Sequence, residues 1–263
     1  VHWWLVAAVV VGCGLGCGDE EQQSRPAPDK LLLFCGAGIR PPVAELASIF
    51  GQDNGITIET DYAGSEVLLS RIKLARQGDL YMPGDKHYVE LAAREGLILS
   101  HQSVCYFVPT ILVQKGNPRK IAGLSDLIGR GVKLGLGDSR ACAIGRKSRK
   151  IFEKNNIAWA DVEKNLSFQS LTVSELGMQI QAKALDAVIV WDAVARYYAK
   201  YGDEVPIPAD QNLVSTVDVG VLKFTQHRGL AEKFVKFAAS ARGRAAFEKH
   251  GYQVDPPEPA RGQ

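Results

Sequence analysis

Hydrophobic and polar positions along this chain change rhythm in a repeated order: a short apolar run, a loop of small residues, then apolar residues at helical spacing. Leu31–Phe34 is a continuous apolar run of the kind buried on both faces of a sheet. Pro41-Pro42 then opens a helix with Val43, Leu46, Ala47, Ile49 and Phe50 on one face. Ile56–Tyr62 alternates like a strand, and Glu66–Arg76 carries Val67, Leu68, Ile72 and Ala75 at helical spacing before a stop at Gly78. Asp79–Met82 predicts a third strand, and Tyr88–Glu95 a third helix that ends at Gly96. Strands alternating with helices predict a parallel sheet with right-handed crossovers.

Val104–Gln114 reads as one longer strand. Its internal Pro109 cannot donate to a ladder, which implies an edge or crossing strand and places the first hinge here. A second series follows: strand Val132–Leu136, helix Ile144 to Asn155, strand Phe168–Leu171, helix Ser174–Lys183, and strand Ala187–Trp191 into helix Ala193–Tyr201. Pro206-Ile207-Pro208 marks a loop, and Val217–Phe224 is a strand returning to the first lobe. Helices at Gly229–Ala239 and Arg242–His250 close the fold, and the Pro-rich stretch 255–263 is expected to fray. The expected architecture is α/β with two lobes, residues 30–108 with 215–254 and residues 109–214. Each lobe is a mostly parallel sheet flanked by helices, and two hinge crossings join them into a clamp that closes.

Four loops run directly from a strand into a helix. They are Cys35-Gly36-Ala37-Gly38-Ile39-Arg40, Ala63-Gly64-Ser65, Gly137-Asp138 through Cys142-Ala143-Ile144-Gly145, and Leu171-Thr172-Val173-Ser174. A helix N-terminus offers unpaired backbone N–H groups and the positive end of the helix dipole, so it favours anions. Four such loops suggest a cradle for a small oxyanion wherever the fold brings them together. The chain of 263 residues is long enough for two lobes, and its formal charge of +2 gives no basic field that would argue for nucleic acid.

The N-terminus has a different character. Residues 1–17 are apolar and small up to Gly16, and residues 18–29 turn polar at once, which looks like an export signal followed by a linker. Val10-Val11-Gly12-Cys13 fits the lipobox of bacterial lipoproteins, and Gly14-Leu15-Gly16-Cys17 fits it less well. Val1-His2 supplies no cationic region, so the true start is expected at another codon or upstream. A lipid on Cys13 or Cys17 would tether the domain to a membrane surface without spanning it. Of the five cysteines, Cys35, Cys105 and Cys142 remain. Cys35 and Cys142 lie in two anion-type loops, where pairing, free thiols and ligand contact all stay open; Cys105 reads as a core thiol. No Cys-x-x-Cys or His-x-x-x-His spacing exists, so neither a zinc site nor a cofactor is expected.

These residues resemble the periplasmic oxyanion-binding proteins of ABC importers, in particular the molybdate- and tungstate-binding branch with the type II solute-binding fold. The resemblance is carried by Phe34-Cys35-Gly36-Ala37-Gly38-Ile39, by Tyr62-Ala63-Gly64-Ser65 before Leu69 and Ile72, and by Gly78 to Asp85. It continues through Leu136-Gly137-Asp138, Ala143-Ile144-Gly145, Val188-Ile189-Val190-Trp191 and the ending Phe247 to Gly251-Tyr252. It implies a tetrahedral dianion held by neutral donors: the Ser65 hydroxyl and the backbone N–H groups at Gly38, Ala143, Ile144 and Val173. Ala37, Gly64, Cys142 and Arg40 are further candidates. Gly38 stands where the family usually has serine, and Trp191 where many members have tyrosine; the indole N–H remains a donor. The implied protein is a monomeric, membrane-anchored lipoprotein of the periplasm or cell surface that hands its anion to ABC permease subunits.

Each position has a second reading. Ser65 also suits an N-cap, Gly38 a positive φ, and Trp191 the core. Arg40, Arg140 and Arg146 suit a solvated rim, while Asp138 and Asp192 suit helix caps or loop braces. His87 and His101 read as surface residues and Tyr62 as packing. Sulfate, phosphate and thiosulfate stay open as ligands. A different class of function, a thiol enzyme with Cys35 or Cys142 as nucleophile, is physically conceivable at a helix N-terminus, but neither loop has a neighbouring His base in sequence.

Overall fold

The computed structural model describes residues 30–257, together with Val1. The export-type segment, both lipobox cysteines, the linker and the end of the tail lie outside the described residues. Two five-stranded sheets organise the rest, each flanked by helices.

The first sheet has the order β2 (Thr57–Ala63), β1 (Lys30–Gly36), β3 (Leu80–Met82), β10 (Ser215–Leu222), β4 (Ile98–Phe107). β1 (Lys30–Gly36) is its apolar spine, parallel to β2 (Thr57–Ala63) and β3 (Leu80–Met82). Between these strands run α1 (Arg40–Asn54) and α2 (Ser65–Ala75), and α3 (Lys86–Arg94) follows β3. Pro41 and Pro42 occupy the first turn of α1, where their missing N–H groups cost nothing, and Gly55 ends the helix at φ 66°. Val43, Leu46 and Phe50 form the buried face of α1, and Phe50 meets α8 (Arg228–Ala239), where its ring packs edge to face on Phe234 at 5.2 Å.

The second sheet has the order β7 (Leu166–Ser170), β6 (Leu134–Gly137), β8 (Ala187–Trp191), β5 (Pro109–Gln114), β9 (Gly202–Pro206). β6 (Leu134–Gly137) lies parallel to β7 (Leu166–Ser170) and β8 (Ala187–Trp191), with α4 (Ala143–Lys154), α5 (Trp159–Asn165), α6 (Val173–Gln181) and α7 (Asp192–Tyr197) around them. α9 (Ala241–Lys249) packs on α1 and closes the first half.

The stretch expected as one strand over Val104–Gln114 is two strands in two sheets. β4 (Ile98–Phe107) is an edge of the first sheet, and β5 (Pro109–Gln114) sits between β8 and β9 (Gly202–Pro206) in the second. Pro109 is therefore the first residue of its strand rather than an interior interruption, a position that tolerates its missing N–H. Val108 is the crossing residue, pinned by a reciprocal pair: its N–H donates to Asp192 Oδ1 at 3.2 Å, and its carbonyl accepts from the Asp192 N–H at 2.8 Å. The chain returns through residues 207–214 into β10 (Ser215–Leu222), which runs antiparallel to β3 and β4. Each sheet thus has a parallel part, and every antiparallel pair involves β5 or β10, the strands that follow a crossing. α5, β9 and the first half of β4 escaped the periodicity reading; α5 is short and buries only Val162, and β9 is a polar edge strand.

Candidate functional site

Three strand-to-helix junctions converge on one small cavity between the two halves. Ser65 is the first residue of α2, Ala143 and Ile144 open α4, and Val173 opens α6; all four line the cavity. The N–H groups of such first turns have no acceptor inside their own helix. Their three dipoles therefore present positive ends to one point. The short 3-10 turn Ala37–Ile39 adds Ala37 and Gly38 from the first half.

Ser65 is 2% exposed, and its Oγ accepts the Gly84 N–H at 3.1 Å, so its own proton is left to donate. Its backbone carbonyl accepts the Tyr81 hydroxyl at 2.7 Å, which fixes the start of α2 against β3. Trp191, also 2% exposed, stacks flat on Phe107 with ring centroids 4.7 Å apart and an interplanar angle of 7°. Such a contact adds about 0.5–1.5 kcal/mol beyond burial. It joins the last residue of β8 to the last residue of β4 across the two sheets. The Trp191 ring is packed, as the core reading expects, and it also lines the cavity.

Gly38 does not have a positive φ. What demands glycine is proximity: a Cβ there would lie 2.7 Å from Val173 Cγ1 and 3.2 Å from Trp191 Cδ1, both from the other half. Its carbonyl accepts the Tyr252 hydroxyl, which steadies the loop. Gly64 is tighter still, since a Cβ would stand 2.5 Å from both the Ala141 and the Leu171 carbonyl oxygens. Beside it the Glu66 N–H donates to the Ala141 carbonyl at 3.1 Å. The two halves meet here, backbone against backbone, and the cleft is closed.

The cavity offers about 20 Å³ to the centre of a water molecule, somewhat above the roughly 10–15 Å³ that one water requires. It suits a ligand of a few atoms. No charged side chain lines it; the polar groups are backbone, the hydroxyls of Ser65 and Thr172, the Cys142 thiol and the Trp191 indole. Gly36, Ala63, Gly84, Thr172 and Phe107 are lining residues that sequence reasoning did not select as donors. Gly36, Ala63 and Thr172 sit in the strand-to-helix loops that pointed to their neighbours, whereas Gly84 lies in the turn between β3 and α3, which was not among those loops.

The remaining candidates fall elsewhere. Arg40 is brought to the rim rather than the cavity, because its guanidinium lies over the Tyr62 ring, 4.0 Å from the centroid. Arg140 folds back on Asp138, accepted at 3.2 Å, and hydrogen bonds from its guanidinium and backbone N–H hold the Asp138 carboxyl below its usual range. Asp192 is a buried brace: beyond Val108 it accepts from Gln253 Nε2 at 2.9 Å and pairs with Arg196. His101 is held through Nδ1 by the buried Asp218 at 2.8 Å, and His87 packs edge to face on Tyr88.

Cys35, Cys105 and Cys142 are free and buried. Cys142 lines the cavity, whereas Cys35 does not. Burial pushes the Cys142 thiol up to about 12 against a lowering hydrogen bond from the Gly145 N–H, and burial raises Cys35 further despite Arg40. Both sulfurs are kept as thiols, the opposite of what a nucleophile requires.

The sequence profile of a family described as bacterial extracellular solute-binding protein matches residues 31–253. The molybdate-binding protein ModA of Mycobacterium tuberculosis strain H37Rv is 24% identical over 255 residues, covering 94% of this chain and 95% of that protein. Among solved structures, the periplasmic molybdate-binding protein of Azotobacter vinelandii superposes with a TM-score of 0.73 at 15% identity, over 86% of this chain and 100% of that one. The sulfate-binding protein SubI of M. tuberculosis H37Rv also gives 0.73, at 17% identity over 86% and 88%. Structural likeness at these identities speaks for the fold.

Proposed function

Since this chain belongs to the bacterial extracellular solute-binding proteins, we propose that it is the receptor of an ABC importer for a tetrahedral oxyanion, molybdate or tungstate. Family members are binding proteins, and no covalent chemistry is asked of this one. The observation that carries the reading is the cavity itself: three helix N-termini aimed at a space of a few atoms, lined by hydroxyl, indole and backbone donors and by no charged side chain.

In this reading Ser65 Oγ, Trp191 Nε1 and the N–H groups of Gly38, Ala143, Ile144 and Val173 divide the anion's oxygens among them. Ala37, Gly64 and Cys142 complete the wall, and Thr172 supplies a second hydroxyl. Neutral donors suit a dianion released unchanged, because no counter-charge must be separated when the cleft opens. Closing around the anion excludes water and strengthens every hydrogen bond to it. The ligand's preference for the closed form drives the motion. The lobes that move are residues 30–108 with 215–254 and residues 109–214. A lipid on Cys13 or Cys17 holds the monomer to the membrane surface beside the permease subunits that receive the anion.

Molybdate is favoured over sulfate by the ModA relative, a molybdate-binding protein matched over nearly the whole chain, and tungstate is proposed beside it as a tetrahedral dianion of the same shape. Calorimetric titration with molybdate, tungstate, sulfate and phosphate in a non-anionic buffer tests the proposal. Tight binding of the first two with little response to sulfate is expected. Preference for sulfate or phosphate would replace the ligand, and no binding of any of the four would remove the function.

A further inference from the structure

One ion pair among the described residues joins the two halves. Lys147 on α4 reaches across to Asp85, the N-cap of α3, with Nζ 2.9 Å from Oδ2. Every other ion pair lies within one half. It is also the most enclosed, at 12% and 8% side-chain exposure. Removing charges from water is costly unless geometry and additional hydrogen bonds compensate, and here they do. Ser215 Oγ donates to the same Asp85 oxygen at 3.0 Å, the His87 N–H donates to Oδ1 at 2.9 Å, and Lys147 Nζ also reaches the Val214 carbonyl at 3.3 Å. Burial alone would raise the Asp85 carboxyl, but Lys147 and these donors outweigh it and hold it low.

The pair sits where it can act on the cavity without touching it. Asp85 follows Gly84, whose N–H is bonded to Ser65 Oγ. Lys147 is one helical turn beyond Ile144, on the same side of α4. Holding these two atoms together holds the donors of the first half against those of the second.

We propose that Asp85 and Lys147 form the clasp of the cleft, positioning residues that favour the closed arrangement and slow the escape of whatever the cavity holds. In the open form both ends return to water, so the pair contributes to closure and little to the fold of either half. The inference rests on the closing cleft of the proposed function and not on the identity of the anion.

The cysteines supply a readout that needs no ligand. Cys142 lines the cavity, while Cys35 and Cys105 are enclosed away from it. Alkylation of Cys142 alone therefore reports cleft opening, and alkylation of all three reports unfolding. The full chain, free of anion, would be treated with iodoacetamide and mapped by mass spectrometry as wild type, Lys147→Met, Asp85→Asn and the control Lys73→Met. Lys73 pairs with Glu95 at the surface of the first half. The clasp predicts Cys142 labelling faster by about tenfold or more in both clasp variants, with Cys35 and Cys105 unchanged and the control at the wild-type rate. Wild-type Cys142 rates in the two variants would overturn the clasp. So would parallel acceleration at all three cysteines, which would make the pair a brace of the fold. Failure of wild-type protein to bind any oxyanion in the titration would count against the ligand and leave this test standing.

Discussion

The cavity and the groove beside it share Ala37 and Gly38 yet are built on opposite principles. The groove is large, about 610 Å³ on the same measure as the cavity, and carries Arg40, Arg196, Lys249 and His250 with the exposed ring of Tyr197. The cavity is some thirtyfold smaller and carries no charge. Simple attraction would place an anion among the cations. Yet Arg196 is paired with Asp192, Lys249 and His250 both hold Glu45, and Arg40 lies on Tyr62. Exposed charges are hydrated and screened, and pairs of this kind contribute little. Buried neutral donors held in place by helices do not have to reorganise, and they lose nothing to salt. Discrimination belongs where water is excluded, not where charge is most visible.

Four substitutions sharpen or break that contrast. Gly64→Ala has the largest expected effect. Gly64 has φ −68° and ψ 149°, which alanine adopts freely, so the ligand-free protein should melt at the wild-type temperature. The new methyl would meet two backbone carbonyls that cannot swing aside. Overpacking of about 1–3 kcal/mol, taken at its upper end, predicts oxyanion affinity weaker by about a hundredfold in calorimetry. Equal affinity would mean that the cleft need not close this far.

Ser65→Ala comes next. It removes a buried donor and leaves the Gly84 N–H without its acceptor. A loss of about 1.5 kcal/mol or more, roughly tenfold in dissociation constant, is expected with circular dichroism unchanged. Trp191→Phe should keep the stack on Phe107 and delete only the indole N–H. About 1 kcal/mol is expected from isothermal titration, and no loss would return Trp191 to a purely packing role. Arg40→Ala is the smallest. Affinity within about twofold of wild type, equally at low and high salt, is expected if the anion sits away from the groove. A steep loss confined to low salt would move the anion toward the cations.

Much of this was legible in the chain because helix starts are local. The strand-to-helix junctions at Ser65, Ala143-Ile144 and Val173 follow from short apolar runs, small residues and helical spacing, and those junctions line the cavity. What escaped depends on partners far away in sequence. Phe107 becomes a wall only because the chain crosses between sheets at Val108 and brings Trp191 onto its ring. The glycine at position 38 is required by Val173 and Trp191 from the other half, not by its own backbone angles, so no local rule could reveal the reason. The strand Gly202–Pro206 carries polar residues because it is an edge, and its alternation gave no apolar signal. The Asp85–Lys147 pair needs the tertiary structure for the same reason: separated along the chain, neither residue announces the other.

A crystal grown with tungstate would test the central claim most directly, because tungsten scatters anomalously and marks its own position. One strong peak is expected inside the cavity, with the oxygens around it in hydrogen-bonding reach of Ser65 Oγ, Trp191 Nε1 and the N–H groups that open α4 and α6. A peak in the groove beside Arg40 and Arg196, with the cavity holding none, would contradict it.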